Sequence, residues 1–465
     1  MDAKDRIIAK LQARVVELEA LFKAAMEKIA ALEKNSQTSH KPPSTDIVKP
    51  VKAKSKKKRK QGAQLGHKQN LRKPFPPEQV DAFVCLTPEI EVCPQCHDRL
   101  VASAEPPLVT QQIEIPMQII HVTEYRQHAC DCKKCNVSYY APLPDEVAAG
   151  GLFGPNLTAS IGYLKGRCHL SYTSIRDLCH DMFGFDVSRG FLTKAVRKVS
   201  DSLAASHDQV ESMLPNEPQL KIDETGLKKN GVVQWVWAFV ATRFVCFCVA
   251  AKRNSDVLVE KLGKTFRGQI TSDFHSLYKK FGENTPALFQ FCWAHLIRDV
   301  KFLAMQDDTY EYGLRVLKKI KAMFVTIRDR EKYTKRKYKN LLREHKRKIL
   351  DEIERNVPEH HLAEALENRM DAYSEEYFRF IDLDLDPTNN ETEQMFRLLI
   401  VDRVVTQGTR SDWGDRWQER FLTVHATCRK RGTNVMNFLR RSVSAFFRGE
   451  TAPSLLEGTC PSDSR

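Results

Sequence analysis

Four stretches of the chain hold residues whose types and spacing could do chemistry. Asp223 lies in a short β-type run, "PQLKIDETG", and Asp273 ends a second, "GQITSD". Two strands of one sheet that each deliver an aspartate bring the carboxylates together although 50 residues separate them. Such hard oxygen ligands suit Mg²⁺ or Mn²⁺, which is usually held by a few carboxylates together with substrate phosphates and water. With two ions, one activates the attacking oxygen and the other stabilises the leaving oxygen of an in-line phosphoryl transfer. A third acid is then expected from a helix, and "PTNNETEQMFR" offers Glu391 and Glu393. The fourth stretch is a pair of turns, Cys93-x-x-Cys96 and Cys132-x-x-Cys135, each spaced to aim two thiolates at one tetrahedral Zn²⁺. Four sulfurs leave no open position, so a zinc held there would be structural, with Cys130, His97 and His128 as nearby substitute ligands and ordinary buried thiols as the plainer reading.

The two glutamates divide by helix geometry. Thr388-x-x-Glu391 is a capping-box pattern, with Thr388 at the cap and Glu391 reaching back to it. Glu393 is rotated by about 200° from Glu391, so the two cannot face one metal centre. It shares its face with Asn389, Asn390, Arg397 and Ile400. His295, in "CWAH", falls on a helix after the strand that follows Asp273. Support of the active site and local packing both suit a histidine there; Trp293 is read as core.

These residues need elements to position them. "VVQWVWAFVATRFVCFCVA" reads as two antiparallel strands turning near Thr242, followed by a helix at "SDVLVEKLG". Upstream, "SYTSIRDLCHDMFGFDVSRGFLTKAVRKVSDSL" reads as helix, glycine turn and a second helix from near Ser188 carrying Arg189, Lys194, Arg197 and Lys198. This is helix-turn-helix-like, and DNA reading and an ordinary helical pair both fit it. At the N-terminus, Ile8, Leu11, Val15, Leu18, Phe22, Ala25, Ile29 and Leu32 form one three-four seam, as in a coiled coil. A polar stretch and the run "KAKSKKKRKQGAQLGHKQN" follow, with Lys56, Lys57, Lys58 and Arg59 suited to neutralising phosphates. Between Asp273 and the glutamates, "LKKIKAMFVTIRDREKYTKRKYKNLLREHKRKILDEIERN" is helical and basic, either a solvated face or a DNA-contacting insert. Lys plus Arg outnumber Asp plus Glu by 73 to 59, giving a net charge of +14 that favours a polyanionic partner. "MDAKDRIIAK" lacks the apolar core of a signal peptide and no stretch reads as a membrane span, so a soluble protein with reduced thiols is expected.

The order strand-Asp, hairpin, helix, strand-Asp, long helical stretch, helix-Glu resembles the ribonuclease-H-like plan of DDE transposases. More specifically, the chain resembles transposases of the insertion sequence 66 family, transposase C type, over nearly its whole length. The resemblance is carried by "KNSQTSHKPPSTD", "GAQLGHK", "CPQCHDRL" with "CKKC", "HLSYTSIRDLCHDMFGFDVSRG", "CWAHLIRD" and "NNETEQMFR". It implies Asp223, Asp273 and Glu393 as the metal triad, with His295, Asn390 and Arg397 in support. Gln394 stands where the family usually has arginine, with Arg397 or Arg403 as substitutes, and Thr388 where it often has aspartate. The implied plan is multidomain α+β. It comprises a coiled coil over 1–35, a flexible basic linker over 36–84, a zinc-ribbon-like domain over 85–148 and a helical DNA-binding domain over 149–213. A catalytic domain over 214–448 with a helical insertion at about 306–380, and a disordered tail over 449–465, complete it. The implied function is binding of DNA ends, strand cleavage and attack of the freed 3′-hydroxyl on target DNA. Its partners would be DNA, further copies joined through the coiled coil and accessory proteins of the same element, in the nucleoid-associated cytoplasm of a prokaryote. A DNA-binding regulator without catalysis, and a ribonuclease-H-like nuclease without strand transfer, are the alternatives.

Overall fold

β-branched and aromatic residues favour extended backbone, and the chain spends them on one central sheet. The computed structural model describes residues 12, 14, 15, 18, 75–86, 94, 95, 97–99, 109–113, 120–132 and 137–456. A small hairpin, β1 (Ala129–Cys132) and β2 (Val137–Tyr140), pairs Cys130 with Tyr139. The sheet proper comprises β3 (Gln219–Lys229), β4 (Val232–Val240), β5 (Val245–Ala250), β6 (Gln269–Ser272) and β7 (Leu288–Phe291), in the order β5-β4-β3-β6-β7. β3, β4 and β5 form an antiparallel meander, whereas β6 and β7 add to it in parallel. Asn230 and Gly231 make the β3–β4 turn with φ of +49° and +86°, the left-handed backbone that an Asn-Gly hairpin supplies.

Helices cover both faces. Before the sheet come α1 (Asp145–Gly150), α2 (Pro155–Gly166), α3 (Tyr172–Phe183), α4 (Arg189–Ser202) and α5 (Ala204–Met213). Within the sheet's connections lie α6 (Ser255–Leu262), α7 (Ser276–Glu283) and α8 (Trp293–Leu303). The expected insertion is helical: α9 (Tyr310–Arg328), α10 (Lys335–Ile353) and α11 (His361–Phe378), then the short α12 (Phe380–Leu383). The chain closes with α13 (Asn390–Met395), α14 (Arg397–Thr406), α15 (Asp412–Lys430) and α16 (Val435–Phe447). On one sheet face Leu227, Val236, Ala238, Val240, Val245 and Phe247 pack against Phe396, Leu399, Leu422 and Ala426. On the other, Leu220, Ile222, Trp237 and Phe239 join the large core that extends into the remaining helices.

Both sheet edges are occupied by side chains. On β5, the N–H groups of Val245, Phe247 and Val249 donate to Thr427 Oγ1, Thr423 Oγ1 and Glu419 Oε1, four residues apart on α15. On β7, the Phe289 carbonyl accepts from Arg379 Nε, while the Gln290 amide bonds the Tyr377 carbonyl and the Phe380 N–H. Each bond satisfies a backbone or side-chain group that burial would otherwise leave costly.

Lys52–Glu124 form a unit distinct from the body. Within it, Phe75 and Gln111 exchange two hydrogen bonds of 2.7 and 2.8 Å. Cys93, Cys96, Cys135 and the basic run Lys56, Lys57, Lys58 and Arg59 lie outside the described residues, as does the side chain of Cys132. Of the N-terminal seam, Val15 and Leu18 are described, helical and about half exposed, at 52% and 50%.

Two expectations about boundaries differ from what the fold does. The helices of 149–213 do not stand apart, because Leu192, Val196 and Val199 of α4 belong to the same core as Phe438, Leu439 and Val443 of α16. Residues 450–456 do not leave the body either. Leu455 is buried, Ser206 Oγ donates to the Pro453 carbonyl, and Ser454 pairs with Gln209. The segment's polar composition hid two apolar anchors, Leu455 and Leu456, that give it something to bury.

Candidate active site

β3 and β6 pair with a constant offset, Gln219 with Gln269, Leu220 with Ile270 and Lys221 with Thr271. The pairing ends two residues before Asp223 and Asp273, so both acids lie where β6 leaves the side of β3. Asp273 follows the end of β6, buried, and its Oδ1 has no hydrogen-bond partner. Burial, and then the charges of Glu224, Asp273 and Glu393, push the Asp223 carboxyl well above the usual range. Burial and the charge of Glu224 push Asp273 up to about 7, against the pull of Arg253. Clustered carboxylates that resist ionisation together are what a cation would relieve.

Glu393, on α13, is near enough for its charge to act on Asp223. Its oxygens accept from Arg298 Nη2 at 3.1 and 3.3 Å, and His295 Nε2 lies 3.6 Å from Oε1. Arg298 and His295 stand three apart on α8 and so on one face. The entry to α13 is fixed by Asn389, fully buried, whose Nδ2 donates to the Ile222 carbonyl and whose N–H donates to Cys292 Sγ. Thr392 Oγ1 completes the lock on Asn389 Oδ1. Asn390, its neighbour in the motif, is exposed, as are Gln394 and Arg397. Trp293 is wholly buried and donates to the Tyr377 carbonyl, a core residue as read.

The capping box does not form. Thr388 gives both its N–H and its hydroxyl to Asp386 Oδ1, and the helix starts only at Asn390. Glu391 instead accepts from Lys221 Nζ and Lys430 Nζ, which hold its carboxyl below the usual range although burial opposes them. Two ammonium partners outweigh one backbone N–H, because charge-assisted bonds are the stronger. Glu391 therefore braces α13 against β3 and α15.

One cluster escaped the sequence reading. Glu224 points away from Asp223 into the core, where its oxygens accept from Arg253 Nε at 2.6 Å and from the Tyr278 hydroxyl at 2.5 Å. Arg253 also stacks on Trp235 and approaches Asp273 Oδ2 at 3.8 Å. The available signal was the dipeptide Asp223-Glu224 itself: strand alternation forces one of the two inward, and a buried carboxylate needs partners. A further grouping, His207, Asp208 and Glu211, brings three ligand atoms within 4.8 Å on α5. There Lys261 already pairs with Glu211, and His207 Nε2 faces the Phe247 carbonyl.

The candidate DNA-facing groups divide. Arg189, Lys194 and Arg197 are exposed on α4, with Arg197 over the Trp413 ring, whereas Lys198 binds the carbonyls of Ala149 and Gly150. In the insertion most cations are neutralised: Arg343 by Asp382, Lys346 by Glu375, Lys348 by Glu344, Arg315 by Glu352. Lys335 and Arg336, at the exposed start of α10, have no acidic partner among the described residues.

A family model, Transposase IS66 family, matches residues 150–416. The chain belongs to that family. The match takes in both aspartates, the insertion and Glu393, so the IS66 family assignment and the geometry concern the same residues. A relative from Sinorhizobium fredii (strain NBRC 101917 / NGR234), the uncharacterized protein y4hP, is 23% identical over 259 residues. That similarity covers 52% of this IS66-family chain and 46% of the relative, so the chain spans about half the length of the relative it matches. Among the described residues no helix is long and apolar enough to cross a membrane.

Proposed function

We propose that the chain is a DNA transposase that cuts strands at the ends of its element and joins the freed 3′-hydroxyl to new DNA, with Asp223, Asp273 and Glu393 as catalytic residues. The β3–β6 register that runs up to Asp223 and Asp273, with Asp273 Oδ1 buried and unpartnered, carries the reading. A meander of three antiparallel strands joined by two parallel ones, with the third acid on a later helix, supports a ribonuclease-H-like catalytic fold. The donor set suits Mg²⁺ or Mn²⁺, which Asp223, Asp273 and Glu393 would hold; bound there, such ions activate an attacking oxygen and neutralise a leaving one.

The chain's own residues supply the rest. The Asn389 lock and the Glu391 brace fix the rotation of α13 and hence the direction of Glu393. Arg298 and His295 orient its carboxylate. Glu224, through Arg253, places a cation at the rim of Asp273. Exposed Arg189, Lys194, Arg197, Lys335 and Arg336 are among the DNA-backbone contacts the fold offers, and the N-terminal seam offers the means of joining copies.

The test is Mg²⁺- or Mn²⁺-dependent cleavage and strand transfer on DNA carrying the element's ends, with its accessory proteins present. Glu393→Gln is expected to abolish chemistry while end binding survives, and Glu391→Gln, which weakens the brace but removes no metal ligand, to slow chemistry without abolishing it. A wild type that binds ends and never cuts them would overturn the enzymatic reading in favour of a regulator. Cutting without joining would mark a nuclease.

A further inference from the structure

We propose that Arg403 is a DNA contact of the active site, gripping a backbone phosphate next to the one that reacts; this rests on the reading of the chain as a transposase. Four cations near the acids are already paired with carboxylates. Lys221 is neutralised by Asp386 and Glu391, Arg253 by Glu224, Arg298 by Glu393 and Lys430 by Glu391. Arg403 differs. Its Nη1 donates to Thr225 Oγ1 at 3.1 Å and to the Gly226 carbonyl at 2.8 Å, both neutral acceptors, and among the described residues no carboxylate pairs with it. The adjacent acid, Asp402, faces the other way, accepting from Gln418 Nε2 at 2.6 Å and lying 3.4 Å from His169 Nδ1.

Position gives the unpaired guanidinium its meaning. Lys221, Asp223 and Thr225 alternate onto one face of β3, so Thr225 stands about 7 Å from Asp223 along the strand. α14 crosses that face and sets Arg403 over Thr225, half-buried. A charge taken partly out of water with no counter-ion is costly, and burial accordingly lowers the Arg403 pKa. The two bonds use only Nη1, leaving the remaining N–H donors of the fork for an incoming anion, and a phosphate oxygen pair matches them. A strand whose reacting phosphate lies at Asp223 and Asp273 brings its neighbouring phosphate to this place. Arg397, at the start of α14, is exposed, and no hydrogen bond between it and the sheet is found among the described residues.

The experiment measures binding of a duplex carrying the element's end across a salt series, for wild type, Arg403→Gln and Arg403→Lys. Neutral methylphosphonates are also placed singly at the phosphates flanking the cleavage site. Loss of one phosphate contact should flatten the plot of log affinity against log salt by about 0.9 in Arg403→Gln, and Arg403→Lys should restore the slope. A methylphosphonate beside the cleavage site should weaken wild-type binding to the level of Arg403→Gln on unmodified DNA and cost Arg403→Gln nothing further. An unchanged slope in a folded Arg403→Gln, or a flanking methylphosphonate felt equally by both proteins, overturns the assignment and leaves Arg403 as a tie between α14 and β3. Should Arg403→Gln fail to fold, wild type alone decides: indifference to every flanking methylphosphonate also overturns it. A wild type that cuts its ends yet shows that indifference refutes this proposal alone, whereas one that neither binds nor cuts them refutes the transposase reading.

Discussion

Replacing Asp273 by Asn should make the metal-free protein more stable, which is the reverse of the usual outcome for a buried residue. Burial and the charge of Glu224 raise its carboxyl from the ordinary 3.8 to about 7, a gap equivalent to about 4 kcal/mol. That gap is what remains after the opposing pull of Arg253, 3.8 Å from Oδ2, and of the His275 backbone N–H. Allowing for rotation of the freed side chains, we expect Asp273→Asn to gain about 2–4 kcal/mol at pH 8, or roughly 4–8 °C in Tm. The sign with pH follows from proton uptake. Between 3.8 and about 7 the folded chain holds a proton that the unfolded chain has released, so wild-type stability falls as pH rises through that window. The advantage of the variant should therefore be small near pH 4, grow up to pH 7 and level off above it. Mn²⁺ at 100 times its Kd adds about 2.7 kcal/mol to wild type and much less to the variant, which narrows the gap. Thermal melts of both proteins from pH 4 to 8.5, with and without Mn²⁺, test this. An Asp273→Asn protein less stable than wild type at pH 8 without metal would refute the reasoning, because the carboxylate would then be a structural partner.

Three further outcomes follow from the packing. Glu224→Gln breaks a buried pair with Arg253 and should cost about 3 kcal/mol in a urea titration; a loss below about 1 kcal/mol would show that Arg253 finds another partner. Thr423→Val and Thr427→Val each leave a buried β5 N–H unsatisfied and should cost about 1–3 kcal/mol apiece, with faster hydrogen exchange at Phe247 and Val245 respectively. Lys335→Glu combined with Arg336→Glu should weaken DNA binding and flatten its salt dependence by about 2; an unchanged slope would leave α10 a solvated face.

Local pattern made the sheet and the two helices of the helix-turn-helix-like segment readable. The alternation in β3, the turn after Val240 and the cap at Ser188 are decided by neighbours in the chain. So was the divergence of Glu391 from Glu393, since helical rotation is a local property. What those residues touch was not readable. Glu391 answers to Lys221 and Lys430, which lie 170 and 39 residues away in sequence, and a capping pattern yielded to that distant charge. Asn389 rather than Asn390 carries the wiring because the Ile222 carbonyl and Cys292 converge on it. The pairings that quieten α10 likewise come from Glu375 on α11 and from Asp382. Composition alone therefore overstated the insertion's free charge.

Were several copies gathered on one DNA segment, as the proposed joining of two ends requires, their local concentration would rise far above that of the surrounding solution. At such crowding an open strand edge is a hazard, since its idle N–H and C=O groups would pair with the next copy and keep pairing. Here the ladder of Glu419, Thr423 and Thr427 along one margin, and Arg379 with Gln290 along the other, close the sheet to that chemistry. Copies so gathered would find no strand margin through which to add one to the next without limit.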